Sequence, residues 1–242
     1  MSFNPTVKKT YPRKLATNRL LDSLPEKLRT HMLKICEPVT LKFGTILCEP
    51  DKPLKYVYFP LSAFISSVTP IEGHKPLEIS LVGNEGMLGA TVSLGLITTP
   101  MRALVQGSGE ALRLSPVQLR RELQATPRLV QHLNRYMYVL FEQLIKTAAC
   151  IHFHEIEQRL ARWLLMTHDR TYADQLHLTQ VFLADMLGVR RSGVTIAAGA
   201  LQAKNLIHYN RGEITILNRK GLEATSCKCY QIMIKDYEKI FS

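Results

Sequence analysis

Residues 178–201 read "LTQVFLADMLGVRRSGVTIAAGAL". Thr179 is placed to cap a helix whose apolar residues Phe182, Leu183, Met186 and Leu187 recur at helical spacing and turn inward. Ala184 is small where a second helix must cross closely. Gly188 can take the left-handed conformation that ends the first helix and swings the chain into the next. Val194, Ala198 and Leu201 then mark the buried stripe of that second helix. Small residue, glycine and β-branched residue at these offsets meet the steric needs of a helix-turn-helix.

The other face of the second helix displays Arg191, Ser192, Thr195 and Ile196, with Arg190 at its start. Arginine near the N-terminus of a groove-entering helix can pair bidentately with guanine, while serine and threonine reach bases or phosphate. Together with Thr179 and Gln180, these residues are the expected contacts to double-stranded DNA. Downstream, "LIHYNRGEITIL" (206–217) alternates on both sides of a turn-forming "NRGE" and predicts a hairpin, with Arg211 at its tip for phosphate. A helix-turn-helix followed by a hairpin is a winged helix. Such a module could also serve protein contacts alone.

Upstream, two Ser/Thr-Pro pairs, Ser115-Pro116 and Thr126-Pro127, each predict a helix start. From the second, Val130, Leu133, Met137, Leu140, Leu144, Thr147 and Ile151 recur at alternating steps of three and four, the seam of a coiled coil. This predicts a homodimer held by one long helix, with Tyr136, Phe141 and Ile145 forming a second apolar face that covers the preceding domain. Residues 38–114 have a different texture: short β-branched and aromatic runs such as "KYVYFPL", "AFISSVT" and "LEISLV", separated by Gly, Pro, Asp and Asn, predict a β-roll. Before it, "LLDSLPEKLRTHMLKIC" (20–36) predicts a short amphipathic helix with Ser23 as N-cap. After the long helix, His152 and His154 invite a metal reading, but no third ligand stands at a motif spacing, so hinge residues are expected and no metal. A further helix follows, with Ile156, Leu160, Trp163, Leu164 and Thr167 on one face.

The resulting class is α+β. A basic arm (1–19) precedes a β-roll with flanking helices (20–126), a dimerisation helix (127–151) and a winged helix-turn-helix (152–242). The 242 residues carry a net charge of +11, which favours a polyanionic partner because cations that neutralise phosphates release counterions. Only residues 1–30 are basic by a wide margin, with seven Lys/Arg against two acids. Five scattered cysteines predict reduced thiols rather than a disulfide framework. No apolar run reaches the length of a membrane helix and no secretory core opens the chain, so a cytoplasmic protein without a membrane partner is expected. No nucleophile-base pattern, metal motif or P-loop is found, so no enzyme is expected.

In that order, the β-roll with "VYFPL", the seam helix and "LADMLGVRRSGVT" resemble the Crp/Fnr superfamily of bacterial transcription regulators. The C-terminal half is similar to a Crp-type subgroup with "GVT-AAG-LQ", "LI-Y-RG-I", "GLE" and "C-CY" elements, here Gly193–Gln202, Leu206–Ile214, Gly221–Glu223 and Cys227–Tyr230. The resemblance implies a homodimer on a near-palindromic operator, with RNA polymerase as a further partner. The prototype's recognition sequence Ser-Arg-Glu-Thr-Val-Gly-Arg falls on residues 190–196, where only Arg191 and Val194 carry over. A different operator is therefore implied.

The resemblance also places "EGMLGATVSLGLITTPMRALVQ" (85–106) on the family's phosphate-binding cassette, with Gly86, Met87, Leu88, Met101, Arg102 and Ala103 as a degenerate pocket. Met87 stands at the ribose-binding glutamate, and the phosphate arginine is missing or displaced by one residue to Arg102. A one-residue slip turns a strand side chain to the other face. Cyclic AMP is therefore not expected. A different small effector, a cyclic mononucleotide and a β-roll without ligand remain the alternatives. The N-terminal cysteine cluster of the iron-sulfur branch is absent, and His74 alone is too little for haem.

Overall fold

The computed structural model describes residues 17–69, 71–73, 76–171 and 173–241. His74 and most of the basic arm lie outside the described residues. Two short helices open the fold, α1 (Arg19–Asp22) and α2 (Glu26–Ile35). The single helix expected here is split. Asn18 caps α1 by accepting from the Leu21 N–H at 3.1 Å, and Pro25, with φ near −52°, starts α2. Ser23 is thus not an N-cap but the C-cap of α1, its hydroxyl donating to the Leu20 carbonyl.

The β-roll is built from β1 (Glu37–Leu41), β2 (Ile46–Cys48), β3 (Val57–Pro60), β4 (Phe64–Thr69), β5 (Leu77–Val82), β6 (Arg102–Gly107) and β7 (Gly109–Leu114), with a 3-10 turn at Ala90–Leu94. They form two antiparallel sheets, ordered β1-β7-β3 and β2-β6-β4-β5. Their core gathers Phe59, Ile65, Met87, Val105, Leu114 and Leu133. β2 is the shortest strand of the roll, three residues long.

Next come α3 (Pro116–Ala125), α4 (Pro127–Phe153) and α5 (Ile156–Thr171). Ser115 forms a capping box with Gln118, whereas Thr126 caps α4 without a side-chain hydrogen bond. After β8 (Gln175–His177) follow α6 (Gln180–Leu187), α7 (Arg191–Ala203), β9 (Ile207–Asn210), β10 (Glu213–Ile216), α8 (Arg219–Thr225) and α9 (Cys229–Phe241). The last three strands make a small sheet, β8-β10-β9. Helix α9 returns along α4, where Phe241 meets the His132 ring edge-on. No helix among the described residues is long and apolar enough to cross a membrane.

A second core joins α5, α6 and α7 to the outer side of β4 and β5. Alternation divides β4 between the two: Phe64 and Val68 enter the second core, Ile65 the first. The strand is buried on both sides for this reason, even at Ser66 and Ser67. At the junction Glu78 accepts hydrogen bonds from Ser66 Oγ at 2.6 Å and Trp163 Nε1 at 2.7 Å. Burial outweighs these donors and pushes the Glu78 carboxyl up to about 7. The neighbouring Arg170 pairs with Glu85, a second polar tie between the two halves.

Candidate nucleic-acid interface

Helix α6 begins where Thr179 Oγ1 accepts from the Phe182 N–H at 3.2 Å and ends at Gly188, whose φ is +64°. A side chain at Gly188 would also bring a Cβ within 2.6 Å of Leu77 Cδ1 on β5, so the turn is both left-handed and tightly seated. Helix α7 then starts from extended backbone at Arg190, which offers no side-chain cap. Val194, Ala197, Ala198 and Leu201 are buried against α5 and α6. Arg190, Arg191, Ser192, Thr195 and Ile196 all lie on the exposed side, with Ile196 74% accessible.

Gln180 organises this face. Its Oε1 accepts from Thr195 Oγ1 at 2.9 Å and from Arg191 Nε at 3.4 Å, drawing the start of α6 and the first turns of α7 together. The wing closes on the same side. Asn210 and Glu213 pair across a two-residue turn in which Arg211 and Gly212 both have positive φ, the geometry that matches hairpin twist. Thr179, Gln180, Arg191, Tyr209 and Arg211 line one concavity between helices and wing. His177 and Glu213 stand 3.9 Å apart, both exposed, and are paired across β8 and β10.

Tyr209 is the member of this group that sequence reading missed. Its N–H donates to Gln202 Oε1 at 2.7 Å and its hydroxyl to the Leu178 carbonyl at 3.0 Å, tying the wing to α7 and to the linker before α6. Partial burial raises its pKa, with Arg191 acting the other way. The alternation of "LIHYN" could have put Tyr209 beside the helices, since Ile207 is in the core and Tyr209 shares its face. Strand β8 gave no such signal, because a three-residue strand has no period to read.

The long helix distributes its apolar residues otherwise than the heptad reading expects. Leu133 is fully buried in the β-roll core, and Val130, Met137 and Leu140 pack against it. Thr147 is half-buried; of the seven seam positions only Leu144 and Ile151 are exposed. The second face is divided as well: Tyr136 is buried, but Phe141 and Ile145 face outward with Tyr138. Tyr138, Phe141, Leu144 and Ile145 form an exposed apolar row at the middle of the helix, with Ile151 and Phe153 exposed nearer its end. The physical reason is that α4 must cover the β-roll and receive α9, and these neighbours take most of the expected seam.

In the cassette, Met87 is core. Its N–H donates to Tyr136 Oη at 3.0 Å, and the Tyr136 hydroxyl donates to its carbonyl at 3.2 Å. Gly86 makes room for that hydroxyl, since a Cβ there would collide with it. Leu88 is buried, and Met101 lies at the β6 edge, its carbonyl facing the Cys48 thiol. Ala103 and Val105 point into the core, so Arg102 lies on the other face of β6. There Arg102 Nε donates to Glu49 at 2.8 Å, with both side chains part-exposed.

His154 has neighbours that the hinge reading does not include. It does end α4, but its Nδ1 lies 3.7 Å from Cys229 Sγ, and Cys150 Sγ lies 3.5 Å from Cys227 Sγ. No sequence spacing could show this, because Cys227 and Cys229 stand at the entry to α9, some 75 residues further on. His152 takes no part and stacks edge-on with Phe153.

Residues 158–225 match the Crp-like helix-turn-helix domain. No curated protein sequence matches the chain significantly. The solved structures that resemble it include a Crp/Fnr-family protein of Eubacterium rectale, with a TM-score of 0.68, 17% identity, and coverage of 85% of this chain and 96% of that one. A Crp/Fnr-family transcriptional regulator of Thermus thermophilus gives 0.64 and 20%, covering 78% and 98%. The c-di-GMP-responsive global regulator CLP of Xanthomonas campestris gives 0.63 and 17%, covering 77% and 96%. The chain therefore carries a Crp-like helix-turn-helix domain and has the fold of Crp/Fnr regulators, β-sheet domain first and helix-turn-helix last.

Proposed function

We propose that this chain is a homodimeric, sequence-specific DNA-binding transcription regulator of the Crp/Fnr type whose β-roll is not controlled by cyclic AMP. The observation that carries the reading is the row Arg190, Arg191, Ser192, Thr195 and Ile196. It stands exposed on a helix whose other side is fully packed, inside a Crp-like helix-turn-helix domain. In this reading α7 enters the major groove. Arg191 reads a guanine, its guanidinium steered by Gln180, and Thr195 and Ile196 meet neighbouring base edges, Ile196 by apolar contact with a thymine methyl. Arg211 at the wing tip and Arg190 meet phosphates on either side.

Two copies joined along Tyr138, Phe141, Leu144 and Ile145 would present two such helices to half-sites about 34 Å apart, on a near-palindromic operator. Independence from cyclic AMP is supported by Arg102, whose charge is already matched by Glu49, and by Met87 filling the core where a polar side chain would hold a ribose. RNA polymerase is the further partner this class of regulator implies.

Selection of binding sites from random double-stranded DNA with the full chain tests the reading. An enriched, two-fold symmetric motif bound more tightly than its scrambled version is expected, with affinity unchanged by added cyclic AMP. Equal affinity for selected and scrambled DNA would sink it.

A further inference from the structure

We propose that Cys150, His154, Cys227 and Cys229 form a closed four-ligand site for one zinc(II) ion, which ties the end of α4 to the start of α9. The four ligand atoms all lie within 4.8 Å of one another. A tetrahedral zinc, with bonds of about 2.3 Å to sulfur and about 2.0–2.1 Å to nitrogen, holds its ligand atoms roughly 3.5–3.8 Å apart. The Cys150–Cys227 and Cys229–His154 separations of 3.5 and 3.7 Å fall in that range. None of these cysteines is in a disulfide. An iron-sulfur cluster spreads its thiolates over several irons and needs a wider cage.

The local structure explains why the four converge. Cys150 and His154 are four residues apart at the last turn of α4, on one side of the helix. Cys227 and Cys229 flank Lys228 where the chain enters α9, and the positive end of that helix's dipole favours a thiolate. The three cysteines are buried and form a cluster of their own, apart from both cores.

Their surroundings point the same way. Arg159 and Arg162, on α5 just past the corner, are both buried, and among the described residues neither Nε has a hydrogen-bond partner. Three thiolates, an imidazole and a dication sum to one negative charge, which buried guanidinium groups can balance. Three sulfurs and one imidazole nitrogen suit a borderline-soft ion such as zinc(II), and four protein ligands leave no open position, so the site is structural. It would set the placement of the winged helix relative to the long helix. None of its residues belongs to the DNA-facing row, so it stands or falls apart from DNA binding.

The test uses tag-free full-length protein prepared under reducing, oxygen-free conditions. Metal content is measured by mass spectrometry, and the stripped protein is then titrated with cobalt(II) followed by zinc(II). One zinc per chain is expected, together with the strong visible bands of tetrahedral cobalt-thiolate that zinc abolishes. Cys227→Ser and Cys229→Ser should each weaken zinc binding at least tenfold, while Cys36→Ser retains it, with circular dichroism checking that each variant is folded. Any of three results on the unmutated protein would overturn the proposal: no stoichiometric zinc and no tetrahedral cobalt spectrum, an octahedral spectrum, or a Cys150–Cys227 disulfide in place of metal. Full zinc affinity in both variants would overturn it too.

Discussion

Arg191 draws its importance from what surrounds it. Gln180, itself held by Thr195, restricts its side chain before any partner arrives, so less freedom is lost when it pairs. Arg191→Ala is expected to cost about 1–3 kcal/mol on the preferred operator and to relax one base preference. Competition binding against the selected site and its single-base variants measures both. Glu78 makes a prediction of a different kind. Its folded pKa of about 7 lies above its ordinary value of 4.5, so the native state binds the extra proton. The stability this gives is full below about 4.5 and is lost as the pH rises through about 7. Relative to Glu78→Gln, which keeps an amide in the same pocket, the unmutated protein should lose up to about 3 kcal/mol across that window. Denaturant unfolding at several pH values checks it, and parallel curves for the two proteins would refute it. Arg102 shows the opposite case, where residue type invites a role that the partner Glu49 takes away.

Among the elements, α4 shows most clearly how helical spacing and helical facing differ. Steps of three and four announce the helix correctly, but its 27 residues carry apolar side chains around more than one face. Which of these faces meets the β-roll, which meets α9 and which is left outward depends on neighbours distant in sequence. Phe141, 59% exposed at the centre of the outward row, is the position to test. Phe141→Glu should shift a dimer to monomer in sedimentation velocity while leaving the helical circular dichroism unchanged, because it buries a charge only if two copies meet there. A dimer unaffected by the change would move the interface elsewhere. The helix-turn-helix was far more legible, since a cap, a left-handed glycine and a buried stripe are local requirements met within one short stretch of chain.

On the scale of the molecule, the basic balance of the chain and the exposed arginines of α7 and the wing predict steep loss of DNA affinity with added salt. Arg211→Ala should weaken binding to selected and scrambled DNA alike and flatten the salt slope by about one. Titrations at several potassium chloride concentrations read this directly. A slope unchanged by the substitution would remove Arg211 from the phosphate contacts. The same scale holds the docking of α5, α6 and α7 on the β4–β5 face, through which Glu78 and Trp163 link the two halves.

The amino-acid sequence by itself determined the winged helix, the strand-rich first half, the long helix and the exposed row of α7, because these follow from periodicity and capping over short stretches. Only the tertiary structure decided the burial of β4 on both faces, the outward row of α4, the partner of Arg102 and the meeting of Cys150 and His154 with Cys227 and Cys229. Each of these joins side chains far apart in sequence, and no local pattern encodes which distant surface a given face will meet.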